Sequence, residues 1–306
     1  MSRARDLANL AGAADAGTIS GDNLVINGDM SIWQRGTTID TIASGGYLCD
    51  RWRIAYGGLD GNVDIDRSTD VPSGQGFRYS QKISMDASET SLDTGDQLNL
   101  QHRFEGQNLQ HILKGTSSAK SLTLSFWVKS SVAETYSVNL RDNDNTRVIA
   151  ATYVINAANT WEKKTITFAG DTTGALDNDN ARSLDLTFYM DAGTSFTGGT
   201  FASSWGDASN NNVRVSATTG WLESTSPEWY ITGVKLEVGS TATPFQHESY
   251  AENLEKCQRY YQRFTDSTTS NGFCNGTSYS NLAHYFVFHH PVRMRTRASI
   301  AYSALS

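Results

Sequence analysis

Groups able to do chemistry are thinly spread along this chain. Two acidic runs, Asp142-Asn143-Asp144-Asn145 and Asp177-Asn178-Asp179-Asn180, open like calcium loops. An EF-hand loop needs glycine at its sixth position and glutamate at its twelfth. Those positions hold Arg147 and Tyr153 in one run, and Arg182 and Phe188 in the other. Both runs therefore read as Asx turns. His102, His111, His247, His284, His289 and His290 show no metal-ligand spacing, and no His-Glu-x-x-His motif or close cysteine pair occurs. Cys49, Cys257 and Cys274 form no disulfide framework and read as buried or idle thiols. Gly74-x-Gly76 lacks the third glycine of a phosphate-binding loop, and there is no Gly-x-Ser-x-Gly elbow. Glu105, Glu134, Glu162, Glu223 and Glu228 are available for glycoside hydrolysis, but nothing in the sequence pairs them. The expectation is no catalytic residue, no metal, no cofactor and no enzymatic activity.

Aromatic side chains carry the remaining signal. Trp205, Trp221 and Tyr56 sit among Gly and Ser in loop or loop-edge contexts. A flat ring in such a place can stack on the apolar face of a sugar. It can equally plug the end of a sandwich, and the sequence leaves both readings open. Trp33, Trp52, Trp127 and Trp161 fall in stronger strand patterns and are assigned to the core, with Trp127 on the second face of its strand.

The elements that must position these groups are strands. The 306 residues hold only 4 prolines against 26 glycines and 32 aromatics, the profile of an all-β protein with many turns. Residues 121–129 are the clearest case. Leu122, Leu124, Phe126 and Val128 point one way, and Thr123 and Ser125 the other. Residues 163–168, 184–190 and 229–238 alternate similarly. Such alternation implies antiparallel sheets with one buried and one solvated face. Two such sheets make a sandwich. The expected organisation is an N-terminal helix and linker over residues 1–22, a jelly-roll β-sandwich over 23–247, a connecting helix over 248–266 and a small C-terminal β segment over 267–306. The helix expected from Ser249 to Phe264 opens with a capping box, Ser249-x-x-Glu252, and carries a stripe of Tyr250, Leu254, Cys257, Tyr261 and Phe264. That stripe is a candidate oligomer interface. Leu7 and Leu10 are a candidate anchor, on a helix too short to stand alone in water.

Lys and Arg number 25 against 32 Asp and Glu, a net charge of -7. That argues against a duplex nucleic-acid partner. No apolar run approaches a membrane span, and no secretory signal peptide is visible.

Two stretches resemble a known family. They are NLVINGDMSIWQRGTTI…GGYLCDRWRI (residues 23–54) and WYITGVKLEVGSTATPFQHESYAENLEKCQRYYQRF (residues 229–264). Both are similar to tailed-bacteriophage virion proteins of the tail fibre or appendage kind, as is the opening SRARDLANL. Between them, KSLTLSFWVKSS and TWEKKTITF resemble the jelly-roll core of xylanase-associated carbohydrate-binding modules. The resemblance implies exposure on a virion, release by lysis from the host cytoplasm, and a homo-oligomer, commonly a trimer. It implies other virion proteins as partners through residues 1–22 and a host-surface polysaccharide as ligand. It also leaves open a capsid-decorating (head fibre) protein or a plain carbohydrate-binding module. Modules of this shape often hold a structural calcium through an aspartate near the last strand. The corresponding Ile231-Thr232-Gly233-Val234 has no such aspartate.

Overall fold

The computed structural model describes residues 22–264, 275–280, 283–287 and 289–299. The candidate anchor residues Leu7 and Leu10, and Cys274, lie outside these. Two compact units divide between His247 and Glu248.

The first unit is a sandwich of two six-stranded sheets. One has the order β1 (Thr38–Ile39), β3 (Val63–Ser68), β4 (Ser80–Met85), β12 (Glu228–Val238), β6 (Leu122–Ser130) and β9 (Glu162–Phe168). The other runs β11 (Gly206–Asp207), β8 (Arg147–Val154), β7 (Thr135–Asp142), β10 (Arg182–Ala192), β5 (Gln97–Glu105) and β2 (Trp52–Gly57). Every pairing is antiparallel. The alternating apolar residues of β6 face inward as expected, with Leu124, Phe126 and Val128 fully buried. Phe188 of β10 bridges the two layers. Its ring lies 5.0 Å from that of Phe126 and 6.1 Å from that of Trp229, offset and tilted as aromatic pairs prefer.

The solvated second face fails for three of the four alternating strands: in β6, Thr123 and Ser125 are buried as well. All of β10 beyond Arg182 is buried, including Asp185, Thr187 and Tyr189. The segment after it folds back: helix α1 (Thr194–Thr197) sets Phe196 against Tyr189, with Val215 alongside. In β12, Lys235 and Glu237 are both fully buried, not solvated. They form an ion pair at 3.2 Å, and Thr243 and Pro244 supply the remaining hydrogen bonds. A buried pair persists only when its spare donors and acceptors are satisfied in this way. Trp33 and Trp52 are core residues as assigned, whereas Trp127 and Trp161 are only half-buried. The Trp161 indole stands at the β9 edge, where its N–H donates to Asp70 at 2.8 Å.

The two stretches that carry the family resemblance meet in space. Leu24 N–H donates to the Leu236 carbonyl at 2.9 Å, and Val234 N–H to the Gly28 carbonyl at 2.8 Å. The Asn23 side chain donates to the Val234 carbonyl and accepts from Leu236 N–H. Gly28 permits this approach, because a Cβ there would lie 2.1 Å from the Val234 oxygen. Asn27, in the left-handed region at φ 59°, ties the turn together. Its amide donates to the carbonyls of Ile32 and Asp50, while its oxygen accepts from Ser31 and Ile32. Trp52 closes the knot by donating to the Asn27 carbonyl at 2.9 Å.

The second unit contains helix α2 (Tyr250–Gln258) and the hairpin β13 (Asn275–Ser280) and β14 (Ala283–Val287). The capping box forms in full. The helix ends well short of Phe264, with the Tyr260 and Tyr261 N–H groups both turning back to the Cys257 carbonyl. Consecutive aromatics lose side-chain freedom in a helix, which favours stopping there. Tyr261 and Phe264 therefore lie beyond α2 rather than on its stripe. Cys257 is buried, Leu254 half-buried, and Tyr250 and Phe264 exposed at 63% and 48%.

Candidate functional site

Of the three candidate stacking residues, the structure buries one and leaves two half-buried. Trp221 is fully buried, its N–H directed at the Glu228 carbonyl, so it plugs the sandwich and offers no face to a ligand. Tyr56 is half-buried on β2, and its hydroxyl donates to the Ile42 carbonyl at 2.8 Å. Trp205 directly precedes β11, at the opposite edge of the same sheet. Five strand spacings separate the two edges, roughly 24 Å. The two rings therefore cannot share one sugar.

Trp205 is half-buried and walls an open cleft of about 390 Å³. The cleft lies beside the open flank of the sandwich, where β8 and the end of β9 contribute Arg147, Ile149 and Thr167. Thr172, Thr173, Ser203 and Ser204 add hydroxyls. The indole N–H donates to the Ala169 carbonyl at 2.7 Å, fixing the ring's orientation. An oriented aromatic ring bordered by hydroxyls has the elements of a sugar site: a platform for the apolar face and partners for the polar rim.

Beneath the ring lies a charge cluster that the sequence did not reveal. The Lys114 ammonium sits 5.3 Å from the Trp205 ring centroid. It contacts Asp142 at 2.5 Å and Asp171 at 3.0 Å, and donates to the carbonyls of Thr173 and Gly174 at 2.9 and 2.8 Å. Leu113, in the left-handed region at φ 53°, and Gly115 at φ 83° turn the backbone so that the lysine points inward. Arg147 holds Asp171 from the other side with two hydrogen bonds, at 2.7 and 3.0 Å. Burial alone would raise the Asp171 carboxyl. The hydrogen bonds from Arg147 and Lys114 outweigh it and keep the group below the ordinary carboxylate range. The acidic runs supply the frame. Asn145 caps Asp142 in an Asx turn, and Asp144 accepts from Asp177 N–H at 3.0 Å. No cluster of metal-ligating side chains occurs among the described residues. No described helix is long and apolar enough to cross a membrane.

No protein-family model matches the chain, and no curated protein matches it. Several solved structures are similar. The enzymatically active domain of tailspike protein 4 from bacteriophage CBA120 matches over 65% of this chain at 14% identity and a TM-score of 0.35. That match takes up 21% of the tailspike chain, so the present protein spans only a fraction of its length. A CBM4 structure matches over 70% of this chain and 99% of its own, at 13% identity and a TM-score of 0.36. The family 11 carbohydrate-binding module of cellulosomal cellulase Lic26A-Cel5E from Clostridium thermocellum matches over 68% and 99%, at 12% identity and a TM-score of 0.34. At such scores the sandwich architecture rests on this chain's own strand register.

Proposed function

We propose that the chain is a structural, non-catalytic component of a tailed-phage virion, a tail fibre or appendage protein that touches host-surface glycans through the Trp205 cleft. The observation that carries the glycan contact is the fixed, half-exposed indole among hydroxyls. The virion role is supported by the resemblance of residues 23–54 and 229–264, and by their convergence on a single knot at the Asn23–Gly28 turn. At the Trp205 cleft, the charge cluster supports a non-catalytic reading. Glycoside hydrolysis needs a protonated carboxyl beside an ionised one. Asp171 is instead held ionised by two cations, and its side chain and that of Asp142 are sealed from solvent at 3% and 0% exposure.

One ring gives weak binding at each site, which many copies on one particle convert into firm attachment. Trp205→Ala in the full chain is expected to lower retention on host-surface polysaccharide in affinity electrophoresis by about tenfold, equivalent to roughly 1.4 kcal/mol. Unchanged retention would remove the cleft from the proposal. The oligomer is proposed to form through residues 249–306, where Tyr250 and Phe264 present exposed rings. Light scattering is expected to give the mass of a trimer for the full chain and of a monomer after deletion of 249–306. A monomer in both cases would refute the assembly.

A further inference from the structure

The outer face of the second sheet, away from the Phe188 core, gathers guanidinium groups from strands far apart in sequence. Arg103 of β5 and Arg141 of β7 flank Asp185 of β10 directly across the strand register. Arg182 opens β10, and Arg53 of β2 lies opposite Gln101. Arg214 joins them from the segment that folds back over β10, its terminal nitrogen donating to the Ala208 carbonyl at 3.0 Å. This concentration occurs in a chain of net charge -7. Two carboxylates face the group. Arg182 engages both oxygens of Asp185, and Gln107 donates to Glu105 at the end of β5. Arg53 and Arg103 share a single neutral acceptor, the Gln101 side-chain oxygen, at 2.9 and 3.4 Å. The Arg141 guanidinium has no hydrogen-bond or ion-pair partner among the described residues. The Nε atoms of Arg103 and Arg141 are buried with no acceptor.

We infer that this face is a second binding site, for a carboxylated polysaccharide whose acid groups are taken by Arg103 and Arg141. Guanidinium forks match carboxylate oxygens in pairs, and the partly exposed ends of these two side chains are what an incoming anion would meet. The two arginines stand two strands apart, roughly 10 Å. Between them and β2, the outer side chains of β5 form a ladder of amides. Gln101 donates to Asn99 at 2.8 Å and Asn99 to Gln97 at 3.1 Å; Asn99 is buried, and the partly exposed Gln97 and Gln101 are the amides that can meet sugar hydroxyls. The electrostatics agree. Burial, then the neighbouring guanidiniums, holds Arg53 and Arg141 below the usual arginine range. Only the guanidinium part of that lowering, which Asp185 partly offsets, is what a bound carboxylate would relieve. Single-stranded nucleic acid would need stacking platforms, and Tyr189, the aromatic on this face of β10, is covered by Phe196.

This site is separate from the Trp205 cleft and shares with that reading only the idea of a glycan ligand. The test uses the full chain with polygalacturonate and polysialic acid, the fully methyl-esterified polygalacturonate as uncharged control, and an oligothymidylate. We expect at least one acidic glycan to bind in a salt-sensitive way, with at least tenfold weaker binding of the ester. The Arg103→Gln/Arg141→Gln double variant should lose at least tenfold, while Trp205→Ala retains binding of the acidic glycan. No binding of either acidic glycan, equal binding of the ester, an unchanged double variant, or preference for the oligonucleotide would each overturn the inference. The comparison of acid with ester needs only the unmodified chain, so it decides even if the double variant does not fold.

Discussion

Lys114→Met is expected to cost about 3–5 kcal/mol of folding stability, because it leaves buried carboxylates without their cation. The Asp142 and Asp171 side chains are 0% and 3% exposed, and the ammonium lies within 3.0 Å of both. Methionine matches the lysine stem in volume, so the loss isolates the charge. For a domain of this size the melting temperature should fall by roughly 6–20 °C. Calorimetry of Lys114→Met beside Lys82→Met makes the comparison sharp. Lys82 pairs with Glu228 at 2.7 Å, but the two side chains are 23% and 36% exposed, and such pairs contribute about 0–1 kcal/mol. Equal losses would show that the Lys114 cluster is no more than a surface pair. The Lys114/Asp142→Asn combination should recover part of the loss, since it removes one stranded charge.

Acidification is expected to weaken the fold well above the range where carboxylates titrate. His102 is fully buried on the inner face of β5, between the rings of Trp52 and Phe104, with its Nε2 3.2 Å from the Ile26 amide. Burial, and next the charge of Arg51, push its pKa well below the ordinary value. The unfolded chain takes up a proton at this position below about pH 6.5, while the folded chain does not. The stability is therefore complete above that pH and declines as the pH falls below it. Other groups behave differently. Asp171, whose carboxyl is depressed, contributes above the carboxylate range and loses its contribution only below about pH 4. Asp50, Glu89 and Asp191, raised chiefly by burial, add stability as the pH falls and partly mask the decline. The readout is thus a difference. Urea midpoints at pH 7.5 and 5.0 should separate for the unmodified chain more than for His102→Gln. Identical separations would remove His102 as the cause.

What the sequence could show follows from how local each cause is. The β6 pattern was legible because its inward face meets a flat core and its outward face carries Thr and Ser. The burial of β10 was not, since its cover arrives from Phe196 and Val215 in a segment rich in Ser, Asn and Gly. Lys235 and Glu237 read as a solvated face, because nothing near them announces that Thr243 and Pro244 will seal them. Trp205 and Trp221 are indistinguishable by neighbours. What separates them is which loop reaches the flank, a matter of the strand order. The jelly-roll sandwich was thus within reach, whereas the cleft-walling ring was one of three candidates. Arg53, Arg103 and Arg141 drew no notice because each is an ordinary polar residue in its own strand. Only the register of four strands brings them together. A usable signal existed: all three occupy the outward phase of strands whose other phase is apolar.

The knot between Asn23–Gly28 and Val234–Leu236 has a mechanical consequence. The stretch at Leu24 runs antiparallel to β12, so the chain enters the sandwich beside the point where β12 leaves it. Entry and exit are separated by about one strand spacing, roughly 5 Å. Tension applied between residues 22 and 239 would be carried across that short junction. The sandwich then behaves as a pendant. Its strands are spared the load, and exchanging it for another sandwich of different size would leave the distance between its flanks unchanged.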